Sequence, residues 1–135
     1  MADTFQLEVV TPEKILVRDT AEEIQIPGKG GFLGVLPGHA PLITELAIGE
    51  ISYKRGGEVH RLSVAWGFAE VLPDRVTILA ETAEKASEIN VQRAEAAKAQ
   101  ASQALANPTP ELNYAEAENA LKRAETRLEV AGKKS

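Results

Sequence analysis

The sequence predicts an α+β protein: an N-terminal antiparallel β-sandwich over residues 1–83, then an antiparallel two-helix hairpin over residues 84–135. Three observations carry this. Apolar and polar residues alternate through the first half, the period of half-buried strands. Gly56-Gly57 and Pro73-Asp74 punctuate those runs as turns. Beyond Thr82 the chain turns to Ala, Glu, Gln and Lys, all strong helix formers.

The strands come in order. Phe5, Leu7 and Val9 alternate with Gln6, Glu8 and Val10, and Ile15 and Val17 follow across the Thr11-Pro12 break. Ile24 and Ile26 flank Gln25. Later runs are Ile51–Tyr53, Val59–Val64, Phe68–Leu72 and Val76–Leu79. Many short strands at close spacing imply a sandwich or barrel over about residues 3–82.

A first helix is expected from Ser87, acting as its cap, to Ala106, stopped by Asn107-Pro108. A second restarts at Thr109 as cap with Pro110 in the first turn, and ends near Ala131 at Gly132. Ala94, Ala97, Ala101 and Leu105 form one apolar stripe; Tyr114, Ala117, Leu121, Ala124, Leu128 and Ala131 form the other. Two such stripes pack as a hairpin with close Ala–Ala contacts, or as a coiled coil with an outside partner. Alanine buries little area. At about 25 cal/mol per Å² the interface gains only a few kcal/mol against a similar ordering cost. The hairpin is therefore expected to be marginal and able to open or re-dock.

Residues 1–83 carry 12 acids and 7 bases, residues 84–135 carry 8 of each, and the acidic balance disfavours nucleic acid as a partner. The chain has no cysteine, so disulfides and thiolate chemistry are excluded. Met1-Ala2-Asp3-Thr4 lacks the basic flank and apolar run of a signal peptide, and the weakly charged stretch from Gly30 to Thr44 is broken by Pro37 and Pro41. Membrane association is expected only through a partner.

Catalytic patterns are missing. His39 and His60 do not sit at metal-ligand spacing, and no serine lies in a nucleophile elbow. The glycines at 28, 30, 31 and 34 fail the phosphate-loop pattern because Gly30 follows Lys29, so a structural turn is the favoured role. In Pro37-Gly38-His39-Ala40-Pro41-Leu42 the histidine reads first as a turn residue bonded to local backbone, and second as part of a rigid partner-docking loop. Trp66 reads as packing rather than as an interface anchor. Lys122, Arg123 and Arg127 read as a solvated helix face, or more sharply as a docking strip for an acidic partner or a triphosphate.

The run Gly31-Phe32-Leu33-Gly34-Val35-Leu36-Pro37-Gly38-His39-Ala40-Pro41-Leu42 resembles the signature loop of the epsilon chains of bacterial F-type ATP synthases. Leu7–Glu13, Gly67–Val71, Val76–Glu81 and Ala120–Leu128 are similar to further segments of that family, in the same order. Phe32 departs from a common Glu in the loop, and Trp66 from a usual Gly.

The resemblance implies a non-catalytic central-stalk subunit, peripheral on the cytoplasmic side of the bacterial inner membrane, in a proton-translocating enzyme. It implies a sandwich that binds the gamma subunit and the c-subunit ring, with Gly31, Phe32, Leu33, Gly38, His39, Ala40 and Pro41 in the contacting loop. It also implies helices that reach the beta subunit of the catalytic head, through Lys122, Arg123 and Arg127, and inhibit ATP hydrolysis. No cofactor is required. Some members bind ATP on the folded hairpin through a pattern that here becomes Ile89-Asn90-Val91-Gln92-Arg93-Ala94, with Asn90 in place of an acid. That gives Ile89, Asn90, Arg93, Ala94, Arg123 and Arg127 as an ATP site, and an ATP-sensing module as the alternative function. An unrelated sandwich enzyme would need convergent acids or histidines, which the sequence does not offer.

Overall fold

The computed structural model describes residues 3–133. Eight strands precede two helices: β1 Phe5–Val10, β2 Ile15–Ala21, β3 Glu23–Gly28, β4 Gly31–Val35, β5 Leu42–Glu45, β6 Gly49–Arg55, β7 Glu58–Leu72, β8 Arg75–Lys85, α1 Val91–Ala106 and α2 Tyr114–Lys133. A single 3₁₀ turn, Ala86–Glu88, joins β8 to the helices.

The strands pair in the order β2-β1-β8-β7-β6-β3-β4, with β5 also on β7. All pairs are antiparallel except β1 with β8. The β7–β8 hairpin spans both layers of the sandwich. The first half of β7 (58–64) carries β6, and its second half (68–71) carries β5. Arg75–Leu79 of β8 carries β1. The two runs expected at Val59–Val64 and Phe68–Leu72 are thus one strand of 15 residues. It turns between layers at Trp66 and Gly67, whose φ values are 57° and 119°.

Gly56 and Gly57 both have positive φ, as the tight β6–β7 turn demands. Residues 31–42, expected as a loop, supply β4 and the start of β5 instead. Lys29-Gly30 is a two-residue turn, Gly28 pairs with Gly31, and Ile24 pairs with Val35. Without charges or an internal proline, Gly31–Val35 pairs readily once the turn sets its register.

Alternation delivers Phe5, Leu7, Val9, Ile24, Ile26, Ile51, Leu62, Val71, Val76 and Ile78 to one core, all essentially sealed from solvent. Burying such side chains is the main drive for folding, at about 1.5–3 kcal/mol each.

The helix starts differ from expectation. Ser87 lies in the 3₁₀ turn, and α1 is capped by Asn90, whose Oδ1 accepts the Arg93 N–H at 3.0 Å. Thr109 and Pro110 open a separate turn, closed by the Leu112 N–H on Thr109 O at 3.1 Å. Asn113 then faces α2, accepting the Glu116 N–H at 3.1 Å. Each of these amide oxygens sits one step before its helix, where it reaches a first-turn N–H, whereas Ser87 and Thr109 lie farther back in the preceding turns. Gly132 lies inside the last turn of α2, which runs on to Lys133.

Candidate functional site: the seam between helix α2 and the sandwich

Helix α2 has two working faces. One packs on α1, where Ala94 and Ala101 meet the alanine stripe of Ala117 and Ala124 and all four are buried. The leucines at 105, 121 and 128 are only partly covered. The other face, at positions 123, 127 and 130, sits on the sandwich. Val130 is fully buried with Ile89 and Ala86 in a small cluster separate from the sandwich core. The apolar stripe read from sequence passed through Leu128 and Ala131 and missed Val130. The signal for it was the i, i+4, i+7 run of Arg123, Arg127 and Val130, which its two cations disguised as a solvated face.

Around Val130 the seam is polar. Arg127 Nε donates to Glu84 Oε1 on β8 at 2.6 Å. Lys133 Nζ donates to Glu50 Oε1 on β6 at 3.2 Å. Glu50 also takes Arg61 at 3.1 Å through its other oxygen. The Arg123 guanidinium lies over the Trp66 ring, 5.2 Å from its centroid. These side chains are all partly exposed, so each contact is worth at most about 1 kcal/mol.

Of the six residues given for an ATP site, Asn90, Arg93, Ala94 and Arg127 line one cleft of about 260 Å³, with Glu84 and Ala97. Ile89 points away into the Val130 cluster, and Arg123 lies with Trp66. Asn90 Oδ1 already caps α1, and Arg127 is already paired with Glu84. Lys122 is exposed on α2.

The residues expected in the loop fall on β4 and on the segment that follows it. Phe32 is 72% exposed and Leu36 60%. Leu33 packs partly on the core. Gly38, with φ 88°, donates its N–H to Pro73 O at 2.7 Å. His39 bonds locally: its N–H reaches Leu36 O at 3.2 Å, and Nδ1 lies 2.7 Å from Ala40 O. Ala40 and Pro41 are exposed.

Another exposed surface went unread in the sequence. Phe68 pairs with Leu79 on the outer face of the β5-β7-β8-β1 layer, and both are half exposed. Leu79 pairs with Val10, and Ile43, paired with Glu70, lies on the same face. The signal was a strand apolar on both faces, Phe68 and Leu72 as well as Ala69 and Val71.

On the opposite side, Tyr53 stacks on His60 with ring centroids 5.0 Å apart. Burial, then the Asp19 carboxylate, push its phenol above the ordinary value, and Arg55 draws it partly back. Among the described residues no three acids or histidines converge as a metal site, and no helix is long and apolar enough to cross a membrane.

The chain is thus a two-layer β-sandwich joined through a polar seam to a small-residue helical hairpin. Residues 4–86 match the family of the ATP synthase delta/epsilon chain β-sandwich domain, and residues 87–132 match its long α-helix domain. The chain belongs to the ATP synthase delta/epsilon chain family, as an epsilon chain, and is a non-catalytic subunit. It is 65% identical over 111 residues to the ATP synthase epsilon chain of Koribacter versatilis, covering 82% of this chain and 78% of that one. It is 50% identical over 134 residues to that of Solibacter usitatus, covering 99% and 100%. Its fold matches a chain in the Euglena gracilis mitochondrial ATP synthase OSCP/F1/c-ring structure at a TM-score of 0.82. That match has 25% identity and covers 97% of this chain and 82% of the other.

Proposed function

We propose that this chain works in the central stalk of a proton-translocating ATP synthase, where its sandwich couples rotation and its helices restrain ATP hydrolysis. The carrying observation is the pair of separate apolar clusters, one large within the sandwich and one small at the seam, bridged by partly exposed polar contacts. A helix held this way releases at little cost while the sandwich stays folded. The outer patch of Phe68, Leu79 and Ile43 suits the gamma subunit, being apolar and bordered by Glu8, Glu45 and Glu70. The segment Gly31–Pro41, with Phe32 exposed on β4 beside the β3–β4 turn, suits the c-subunit ring. Released helices would present Lys122, Arg123 and Arg127 to the acidic surface of a beta subunit. On this reading the chain is peripheral at the cytoplasmic side of the bacterial inner membrane and is held there by the complex.

Two measurements test it. Purified chain should bind its own gamma subunit at micromolar concentration, and Phe68→Glu should weaken that binding. Hydrolysis by the assembled enzyme should rise when residues 91–135 are removed. Loss of gamma binding in the native chain, or unchanged hydrolysis after truncation, would refute the respective half.

The cleft of Asn90, Arg93, Ala94 and Arg127 supports a second role, an ATP-sensing hairpin. Two arginines suit a triphosphate, but Arg127 would first have to leave Glu84. Calorimetry with millimolar ATP decides this, with Arg127→Ala expected to weaken any binding seen.

A further inference from the structure

We infer that Trp66 is a clasp that sets how firmly the helical hairpin is held on the sandwich, an assignment that rests on the hairpin-release reading above. Among the described residues Trp66 alone has a positive φ without being glycine. The β7–β8 ladder skips it: Ala65 pairs with Thr82 and Gly67 with Ala80, leaving Trp66 and Glu81 unpaired. Its N–H reaches only Ala47 O, at 3.4 Å. A bulky residue in this backbone region is strained, and a glycine would remove the strain without changing the path.

The indole does not repay that strain in the sandwich core. Trp66 is half-buried and belongs to neither apolar cluster. What its ring meets is Arg123 of α2, 5.2 Å from the centroid. The left-handed turn thus aims an aromatic face out of the strand at the helix. Its position matters as well. Arg127–Glu84 and Lys133–Glu50 tether the C-terminal half of α2, whereas Arg123 is the sandwich contact nearest the hairpin loop. The two ion pairs weaken with salt. A guanidinium over an uncharged ring is far less dependent on long-range charge. Among the polar contacts of the seam, Trp66 therefore supplies the salt-resistant part of the hold, beside the apolar Val130 cluster.

The test is hydrogen exchange of the α2 amides from Ala117 to Val130 in the full chain at high salt, compared with sandwich amides such as Leu7 and Ile78. Trp66→Gly and Arg123→Gln should each speed α2 exchange roughly three- to tenfold, and the double variant should add nothing further. The lone tryptophan's emission should shift to the red in Arg123→Gln. Sandwich amides should stay as protected as before, or gain protection in Trp66→Gly. Wild-type α2 rates in both variants, or two independent increments in the double variant, would overturn the clasp. Should α2 of the native chain open only together with Leu7 and Ile78, the release reading fails and takes the clasp with it.

Discussion

Arg127 on the last helix holds Glu84 on the last strand at 2.6 Å, across a sequence separation of 43 residues. The pair sits where β8 leaves the sandwich, so it ties the end of one domain to the flank of the other. Both side chains are about a third exposed. Arg127→Gln should loosen α2 by about 0.2–1 kcal/mol. Raising salt from 0.05 to 0.5 M should abolish the difference from the native chain, as read by α2 hydrogen exchange.

Val130 is the apolar centre of the seam, fully buried against Ala86 and Ile89. Val130→Ala removes two methyl groups and should weaken hairpin docking by about 2 kcal/mol. That exceeds any single polar contact around it. Limited proteolysis should then cut the chain between 107 and 113 sooner, while the sandwich fragment persists.

Gly67 admits no side chain. Its φ is 119°, and a Cβ there would stand 1.9 Å from Leu79 O. Backbone on the neighbouring strand cannot give way as a side chain can. Gly67→Ala should destabilise the sandwich by more than about 3 kcal/mol, beyond the usual range for a single change, and a denaturant midpoint measures it.

Tyr53 makes stability fall at high pH. Its folded pKa lies above its ordinary value of 10.0 because burial and Asp19 disfavour the phenolate. The neutral form is therefore favoured in the fold. This contribution is complete below the unfolded value and is lost as pH rises through the folded one. Tyr53→Phe keeps the stack on His60 and cannot ionise. Its denaturation midpoint should decline less than the native chain's above pH 10.0.

Most strands were legible because alternation names the buried face directly: Leu7, Val9, Ile24 and Ile26 are where the pattern put them. The helix caps were not. Ser87 and Thr109 are good cap residues by type, but capping is decided by which side chain reaches a free N–H after the preceding turn has formed. The ATP residues were legible as a group only in part. A shared cleft collects Asn90, Arg93, Ala94 and Arg127, but a one-residue step in a turn sends Ile89 to the opposite side.

The sequence alone determined the two kinds of secondary structure and their order, the glycine turns and the lean alanine contact between the helices, while β8 runs on to Lys85, past the change expected near Thr82. These follow from local period and residue type, which act over a few neighbours. Only the tertiary structure decided that α2 has a second face, that Val130 rather than Leu128 is sealed, and that Arg123, Arg127 and Lys133 meet Trp66, Glu84 and Glu50. Those partners lie 43 to 83 residues apart in the chain. What brings them together is the burial of one valine at a seam that no local pattern encodes.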